Sequence, residues 1–184
     1  MGNVRLGIDL EKALALRDRY GLKAFVETGT YKGGTCTLVA PHFERVITIE
    51  GDRARFERTS TQFDKRQFPG LSFWYGDSRA VLARALTDLD QPCLLWLDAH
   101  WCGTGASDSN GDECPLREEL AAVLASKFAA QHVILIDDAR LFTAPPPYPH
   151  NPAQWPTYAE IEAILAPRRL VIEDDVIYAE PVQL

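Results

Sequence analysis

Short apolar runs alternate along the chain with segments in which apolar residues recur at helical spacing. The runs are continuous, which is typical of strands buried on both faces of a parallel sheet. Strands separated by helices of this length indicate repeated right-handed βαβ units. The predicted strands are residues 24–26, 46–49, 71–75, 93–97 and 132–136, and the predicted helices are residues 10–20, 53–63, 79–89 and 116–128.

The C-terminal part of the chain breaks this alternation. Residues 141–155 contain repeated prolines, and because proline lacks an N–H and fixes φ, they predict an extended loop without regular structure. A short helix is predicted over 157–165, with Thr157 as its N-cap. Two apolar runs, 170–173 and 176–179, flank an acidic pair and predict a closing β-hairpin.

The predicted fold class is therefore α/β. We expect a Rossmann-like domain with a mostly parallel central sheet, helices on both faces and a C-terminal antiparallel hairpin. The length of 184 residues suits a single domain over 1–184 with a substantial core, and residues 1–22 would form an N-terminal helical segment. The loops at 101–113 and 142–156 would lie at one edge of the sheet as active-site walls or lids.

Charge and hydropathy exclude several classes of partner. The net charge of −7 argues against broad binding of a phosphate backbone, so no nucleic-acid partner is predicted. No apolar run approaches the length of a membrane span, and the N-terminus lacks the apolar core of a signal peptide. We therefore expect a cytoplasmic protein without a membrane partner, and a homo-oligomer stays open.

Four cysteines are present, at positions 36, 93, 102 and 114, and their spacings fit no zinc pattern. In the cytosol they are expected to be free thiols. Cys102 and Cys114 bracket one loop, and whether these two pair stays open.

The most informative segment is residues 24–52, where a strand, a glycine-rich turn, a helix, a second strand and an acid follow in succession. Such a unit binds an adenosine-containing ligand when the glycines let the backbone approach it and the acid accepts ribose hydroxyls. The turn reads E-x-G-x-x-x-G from Glu27 to Gly33, which is neither a dinucleotide fingerprint nor a P-loop. An acid beside the loop suits a ligand without phosphates. The alternative is a tight strand–helix turn in some other α/β protein.

Acidic residues follow the predicted strands at their C-terminal ends, the edge along which open α/β sheets bind ligands. A single acid there can equally be a turn residue or a helix cap, and for Asp77 the N-cap alternative is as good as the functional one. Acids at all five ends would create a negative potential that suits a sulfonium cation, a divalent metal or both. These acids are Glu27, Glu50, Asp77, Asp98, Asp137 and Asp138.

Together with the glycine loop, three sequence blocks carry a family resemblance: WLDAHWCG, ECPLREEL and VILIDDARLF. The chain resembles the class I S-adenosylmethionine (SAM) methyltransferases over roughly residues 24–142, and in particular the macrocin-type sugar O-methyltransferases. The resemblance implies SAM as cofactor and O-methylation of a hydroxyl on a small molecule or sugar. This chain lacks the long N-terminal and inserted segments of the macrocin-type enzymes, so their sugar specificity cannot be transferred.

The resemblance also implies roles for individual residues. The loop beginning at Glu27 would surround the methionine part of SAM, with the Gly29 backbone closest, while Glu50 would accept the ribose hydroxyls and Asp77 the adenine amino group. In the macrocin-type enzymes, acids after the fourth and fifth strands hold magnesium, and carboxylates are the ligands that a hard cation prefers. The implied metal ligands are Asp98, Asp137 and Asp138. The implied cofactor-binding residues are Glu27, Thr28, Gly29, Thr30, Gly33, Glu50, Asp77, Ser78 and Asp98.

His100 is the candidate general base, and Asp98 is the second candidate catalytic residue. The ordinary pKa of histidine, about 6.5, suits removal of a proton from an acceptor hydroxyl. His100 could do this directly, or it could assist a metal held by the three aspartates, or it could merely orient the loop. Two other functions stay open: a different nucleotide- or NAD-binding enzyme on the same fold, and a protein that binds SAM without catalysis.

Overall fold

The computed structural model describes residues 7–63, 66–101 and 112–182. Within these ranges strands and helices alternate in the predicted order. The strands are β1 (Ala24–Thr28), β2 (Arg45–Glu50), β3 (Leu71–Tyr75), β4 (Cys93–Leu97), β5 (Val133–Ile136), β6 (Leu170–Glu173) and β7 (Val176–Ala179). The helices are α1 (Leu10–Tyr20), α2 (Gly34–Val39), α3 (Arg53–Gln62), α4 (Ser78–Leu89), α5 (Leu116–Leu124), α6 (Arg140–Thr143) and α7 (Tyr158–Leu165). Short 3₁₀ turns cover Ala40–His42 and Pro152–Gln154.

The described strands form a seven-stranded sheet in the order β3-β2-β1-β4-β5-β7-β6. Neighbours among β1 to β5 pair in parallel, whereas β7 runs antiparallel to both β5 and β6. The predicted α/β fold with a C-terminal hairpin is therefore confirmed. The register places Thr28 beside both Ile49 and Leu97, and Leu97 beside Ile136. The acids that follow these strands consequently lie along one edge of the sheet.

The sheet separates two apolar clusters, one on each face. Phe25 and Trp96 belong to one cluster, and their chain neighbours Val26 and Leu95 belong to the other, because successive strand side chains point to opposite faces. Strands β1, β4 and β5 are buried along their whole length, as their continuous apolar character predicts. Strand β3 is half-exposed, since it lies at the outer edge of the sheet and has a neighbour on one side.

The prediction that residues 141–155 form a loop without regular structure is wrong at both ends of the segment. Helix α6 reaches into it because Leu141 and Phe142 bury their side chains against the core. The 3₁₀ turn begins at Pro152, where a missing N–H costs nothing. Helix α5 ends at Leu124, earlier than predicted, and beyond it the Ser126 hydroxyl accepts the N–H of Phe128 in place of a helical bond.

A buried polar cluster lies at the opposite edge of the sheet from the acids. The Cys93 N–H donates to His132 Nδ1 at 3.1 Å, and the Ser126 hydroxyl lies 2.9 Å from His132 Nε2. Burial, with a contribution from the nearby Arg168 charge, lowers the pKa of His132 to about 4. Since its ring nitrogens are occupied by partners of its own, this histidine is a structural one.

The described cysteines, Cys36, Cys93 and Cys114, are buried free thiols. Cys102 lies outside the described residues, and so does most of the predicted loop at 101–113. Among the described helices, none combines the length and apolar character that crossing a membrane requires.

We predict that His132 makes the fold sensitive to mild acid. Its folded pKa lies below the ordinary value of 6.5, so this contribution to stability is present above pH 6.5 and is lost as the pH falls towards 4. Substituting His132→Asn keeps an acceptor for the Cys93 N–H but cannot take up a proton. Between pH 7 and 5, urea unfolding should show the wild type losing about 1–2 kcal/mol more than the variant. Parallel pH curves would contradict the assignment.

Candidate active site

A cavity of about 750 Å³ opens at the C-terminal edge of the parallel strands, a volume typical of small-molecule sites. Thr28 and Gly33, which were expected to contact the cofactor, are not among the residues that line this cavity. Thr28 is fully buried, with its hydroxyl 3.3 Å from the Asp98 N–H, and Gly33 packs against Phe63. The other predicted site residues line the cavity together: Glu27, Gly29, Thr30, Glu50, Asp77, Ser78, Asp98, His100, Asp137 and Asp138.

The glycines of the loop after β1 serve the packing of the protein itself. Gly29 has a φ of +85°, and a Cβ there would collide with the carbonyl oxygen of Asp98. Gly33 has a φ of +77°, and a Cβ would lie 2.7 Å from the Phe63 ring. Gly34 is different, because it lines the cavity and a Cβ there would meet nothing within 4 Å. The open backbone of the cavity wall is thus at Gly34.

Glu27 is a buried carboxyl group at the floor of the cavity. The Thr48 hydroxyl donates to Glu27 Oε2 at 2.5 Å, and Thr30 shares a 2.6 Å hydrogen bond with Thr48. Burial, opposed by the Thr48 hydrogen bond and reinforced by the charge of Asp98, raises the pKa of Glu27 from 4.5 to about 8. Glu27 therefore holds a proton at neutral pH.

Glu50 is fixed in place by two backbone donors. The N–H of Tyr31 donates to Glu50 Oε2 at 2.8 Å, and the N–H of Asp52 donates to Oε1 at 2.9 Å. A carboxylate can accept about four hydrogen bonds, so each oxygen keeps a lone pair. Glu50 lines the cavity and can offer these lone pairs to a pair of ligand hydroxyls.

Asp77 is a helix cap that also lines the cavity. As the N-cap of α4, it accepts the N–H of Arg79 on its Oδ1 at 3.0 Å. Burial raises the pKa of Asp77, but the hydrogen bonds from Arg79 outweigh it and hold that pKa below its usual range.

His100 lies among the acids that follow β4 and β5. Its Nε2 is 2.8 Å from Asp138 Oδ2 and 3.8 Å from Asp98 Oδ1. The other oxygen of Asp138 accepts from Arg140 at 2.6 Å. The imidazole is almost completely buried, and its ring lies edge-on to Trp155 at 5.3 Å between centroids. The structure thus forms a histidine–aspartate pair held from its far side by an arginine.

His100 and the three aspartates around it shift one another's pKa values. Burial lowers the pKa of His100, but the hydrogen bond that it donates to Asp138 and the charges of the surrounding carboxylates raise it to about 8. Burial raises the pKa of Asp98 to about 7 and that of Asp137 to about 6. The pKa of Asp138 shifts in the opposite direction: burial raises it, but the interactions with His100 and Arg140 outweigh burial and hold it below its usual range. Asp138 is therefore the most readily ionised of the three aspartates.

The predicted magnesium ligands do not form a metal site in this arrangement. Both oxygens of Asp138 already bind cationic side chains, His100 and Arg140, and Asp137 Oδ1 accepts the N–H of Asp138 at 2.8 Å. Across residues 7–63, 66–101 and 112–182, no group of three or more His, Cys, Asp or Glu side chains is placed to hold a metal ion. The residues present therefore do not fit a magnesium ion, because the protein's own cations take the carboxylates.

Glu113 connects the two loops that were predicted to form the walls. Its carboxylate accepts the Asn151 N–H at 3.0 Å and the Trp155 indole N–H at 2.8 Å, and its carbonyl accepts the Trp101 N–H at 2.7 Å. His150 lies between the rings of Trp101 and Trp155. The proline-rich segment is thus fixed over the His100 end of the cavity.

Sequence reasoning missed several residues that line the cavity. Tyr31 follows the glycine turn, and its ring lies between the charged groups of Lys32 and Arg55, at 5.1 and 5.3 Å. Arg79 and Asp112 line the adenine side that the resemblance implies. The position of Tyr31 inside the loop was an available signal, but no local pattern marks Arg79 or Asp112.

The chain was compared with protein families, curated proteins and solved structures. No family model and no curated protein matches the chain. Solved structures do match it. The O-methyltransferase TomG from Streptomyces achromogenes, in complex with SAM, is 15% identical with a TM-score of 0.58, covering 99% of this chain and 84% of TomG.

The chain has the fold of the class I methyltransferases. The methyltransferase domain of bacterial CtHen1 is 12% identical with a TM-score of 0.55, covering 92% of this chain and 95% of that domain. A SAM-dependent methyltransferase from Aquifex aeolicus is 15% identical with a TM-score of 0.52, covering 95% and 94%. At such identities the likeness establishes the fold, and the chemistry has to be argued from the cavity itself.

We predict that Glu27 makes stability fall as the pH rises. Its folded pKa of about 8 exceeds the ordinary 4.5, so its contribution is complete below pH 4.5 and is lost as the pH rises through 8. The substitution Glu27→Gln keeps an acceptor for Thr48 and removes the ionisation. Between pH 5 and 8, wild-type stability should decline relative to the variant by up to about 1.4 kcal/mol per pH unit in urea unfolding. A constant difference between the two proteins would contradict it.

Proposed function

We propose that this chain is a SAM-dependent methyltransferase that methylates a hydroxyl group of a small molecule, a sugar being one candidate acceptor. One observation carries the proposal: a single cavity joins Glu50 and the glycine-turn backbone to the His100–Asp138 pair. The first part can hold a nucleoside and its amino-acid tail, and the second can accept a proton. The likeness in fold to TomG, an O-methyltransferase in complex with SAM, supports the same chemistry.

The residues of the cavity fit SAM by charge and by hydrogen bonding. Glu50 offers two oriented carboxylate oxygens, which suit the paired hydroxyls of a ribose. Gly34 leaves backbone open to the ligand beside the turn. Asp98 and Asp137 also line the cavity, and their carboxylates favour a sulfonium cation over a phosphate.

The chain's contribution to catalysis is to position the acceptor and receive its proton. Bound SAM supplies an activated methyl group, which the acceptor oxygen takes in line as the carbon–sulfur bond electrons pass to sulfur. In the neutral imidazole, which forms as the pH rises through the His100 pKa of about 8, Nε2–H donates to ionised Asp138 and Nδ1 is left as the basic atom for the hydroxyl proton. Phe142 and Trp155 pack around the imidazole and keep water from it.

Asp138 orients the base in this proposal. Its left-handed backbone, with a φ of +56°, turns the carboxylate towards His100, and Arg140 holds the other oxygen. Since both oxygens are committed, the proposed proton transfer needs no metal ion. Magnesium assistance, which the family resemblance implies, is tested directly by a chelator.

The cofactor prediction concerns Glu50. Glu50→Ala removes two charge-assisted acceptors, so affinity for SAM should fall about 10- to 100-fold in calorimetry. The matched control is Glu57→Ala on the exposed surface of α3, which should bind SAM as the wild type does. A wild type that binds NAD or ATP but not SAM would disprove the proposed function.

The catalytic prediction concerns His100. Release of S-adenosylhomocysteine would first be screened over a panel of hydroxyl compounds to find an acceptor. His100→Gln should then lower turnover about 100-fold or more with SAM affinity nearly unchanged, because a base acts in the transition state. His42→Gln, on an exposed turn, is the control.

Asp138→Asn should lower turnover in the same way, and EDTA should leave wild-type activity intact. If turnover survives His100→Gln but disappears in EDTA, a metal removes the proton and our mechanism is wrong. If the wild type binds SAM but methylates nothing in the panel, the alternative of a SAM-binding protein without catalysis gains support.

A further inference from the structure

The guanidinium of Arg79 is held between two carboxylates at one end of the cavity. On one side its Nε lies 3.0 Å from Asp77 Oδ1, and a terminal nitrogen lies 2.7 Å from Asp77 Oδ2. On the other side the second terminal nitrogen lies 2.7 Å from Asp112 Oδ2. The three side chains are each about one-fifth to one-third exposed and all line the cavity. Because the planar guanidinium donates hydrogen bonds on two sides, it fixes the direction of the Asp77 carboxylate, which a single point charge cannot do.

The far carboxylate is itself anchored. Asp112 Oδ1 accepts the N–H of Cys114 at 3.3 Å, just before α5 begins. Asp77 is the N-cap of α4, and α4 and α5 pack against each other. The fork therefore joins the first turn of α4 to the segment just before α5, and Asp77 is held through both its backbone position and its side chain.

This network leaves Asp77 with little accepting capacity. Three N–H groups of Arg79 donate to Asp77: the backbone N–H to Oδ1, one terminal N–H to Oδ2, and the Nε–H to both oxygens, at 3.0 and 3.1 Å. A carboxylate accepts about four hydrogen bonds, so these three N–H groups leave room for one further donor. The arginine also keeps Asp77 ionised, since its hydrogen bonds lower the pKa of that carboxyl.

We propose that Arg79 is a positioning residue that aims the Asp77 carboxylate at one N–H donor of the bound base and so selects a 6-amino purine over a 6-oxo purine. An adenine amino group would donate to Asp77. A hypoxanthine would present a carbonyl oxygen at that point, and two acceptors repel each other. The inference rests on the proposed function, since it assumes that the nucleoside of SAM occupies this end of the cavity.

The test compares two ligands that differ at C6, which carries an amino group in one and a carbonyl oxygen in the other, and at N1, which carries a hydrogen in the 6-oxo compound. S-adenosylhomocysteine and S-inosylhomocysteine are titrated by calorimetry into the wild type and into Arg79→Gln. The wild type should prefer the adenosyl compound by about 30-fold, and Arg79→Gln should reduce that preference to about threefold. The control is Arg84→Gln, whose arginine is exposed on the same helix over the Trp74 ring and should keep the full preference.

Asp112→Asn provides a second, independent variant that does not touch Asp77. It weakens the far anchor of the fork, so the preference should fall to a value between those of the wild type and Arg79→Gln. If the thermal unfolding curve of Arg79→Gln shows that this variant does not fold, Asp112→Asn still tests the role of the fork in base selection.

A merely structural role for Arg79 gives a different result. In that case Arg79→Gln would weaken both ligands by the same factor and leave the ratio unchanged, which would overturn the inference. Equal binding of the two compounds by the wild type would overturn it as well, while the proposed function would stand. If the wild type binds neither compound, the proposed function fails together with the inference.

Discussion

The contact between the loop after β1 and the start of the loop after β4 is the constraint on which the cavity depends. Gly29 lies so close to the Asp98 carbonyl that no side chain fits between them, and the Thr28 carbonyl accepts the Asp98 N–H at 3.1 Å. Because β1 and β4 are neighbours in the sheet, this contact joins the glycine turn to the segment that carries His100. The Glu50 end and the His100 end of the cavity are thereby held in fixed register.

A second constraint is electrostatic. Carboxyl groups crowd one edge of the sheet, and they cannot all be ionised at neutral pH without a large cost. The structure resolves this by giving the acids different environments. Glu27 is desolvated and tends to keep its proton, whereas Asp77 and Asp138 are paired with arginine or histidine and stay ionised. The acids at this edge therefore differ in how readily they ionise, which an undifferentiated acidic edge would not allow.

The two arginines at this edge act in the same way at opposite ends of the cavity. Arg140 binds Asp138 and Asp175, which attaches the His100–Asp138 pair to the C-terminal hairpin. Arg79 binds Asp77 and Asp112, which attaches the other end to the start of α5. In both cases a planar cation fixes a carboxylate that lines the cavity, and elements far apart in sequence are drawn together around it.

The sequence by itself determined the fold and the edge at which the cavity lies. The period of apolar positions is a local property, so the strands, most helix boundaries and the closing hairpin could be predicted, and the acids at the strand ends followed from them. Only the tertiary structure decided what each acid contacts. Asp138 binds His100 and Arg140 where three aspartates were expected to share a metal, and Asp112 lies 33 positions from the Arg79 it binds. Glu113 likewise meets Trp155 across 42 positions. Such pairings depend on how loops cross above the sheet, and periodicity along the chain carries no information about distances between loops.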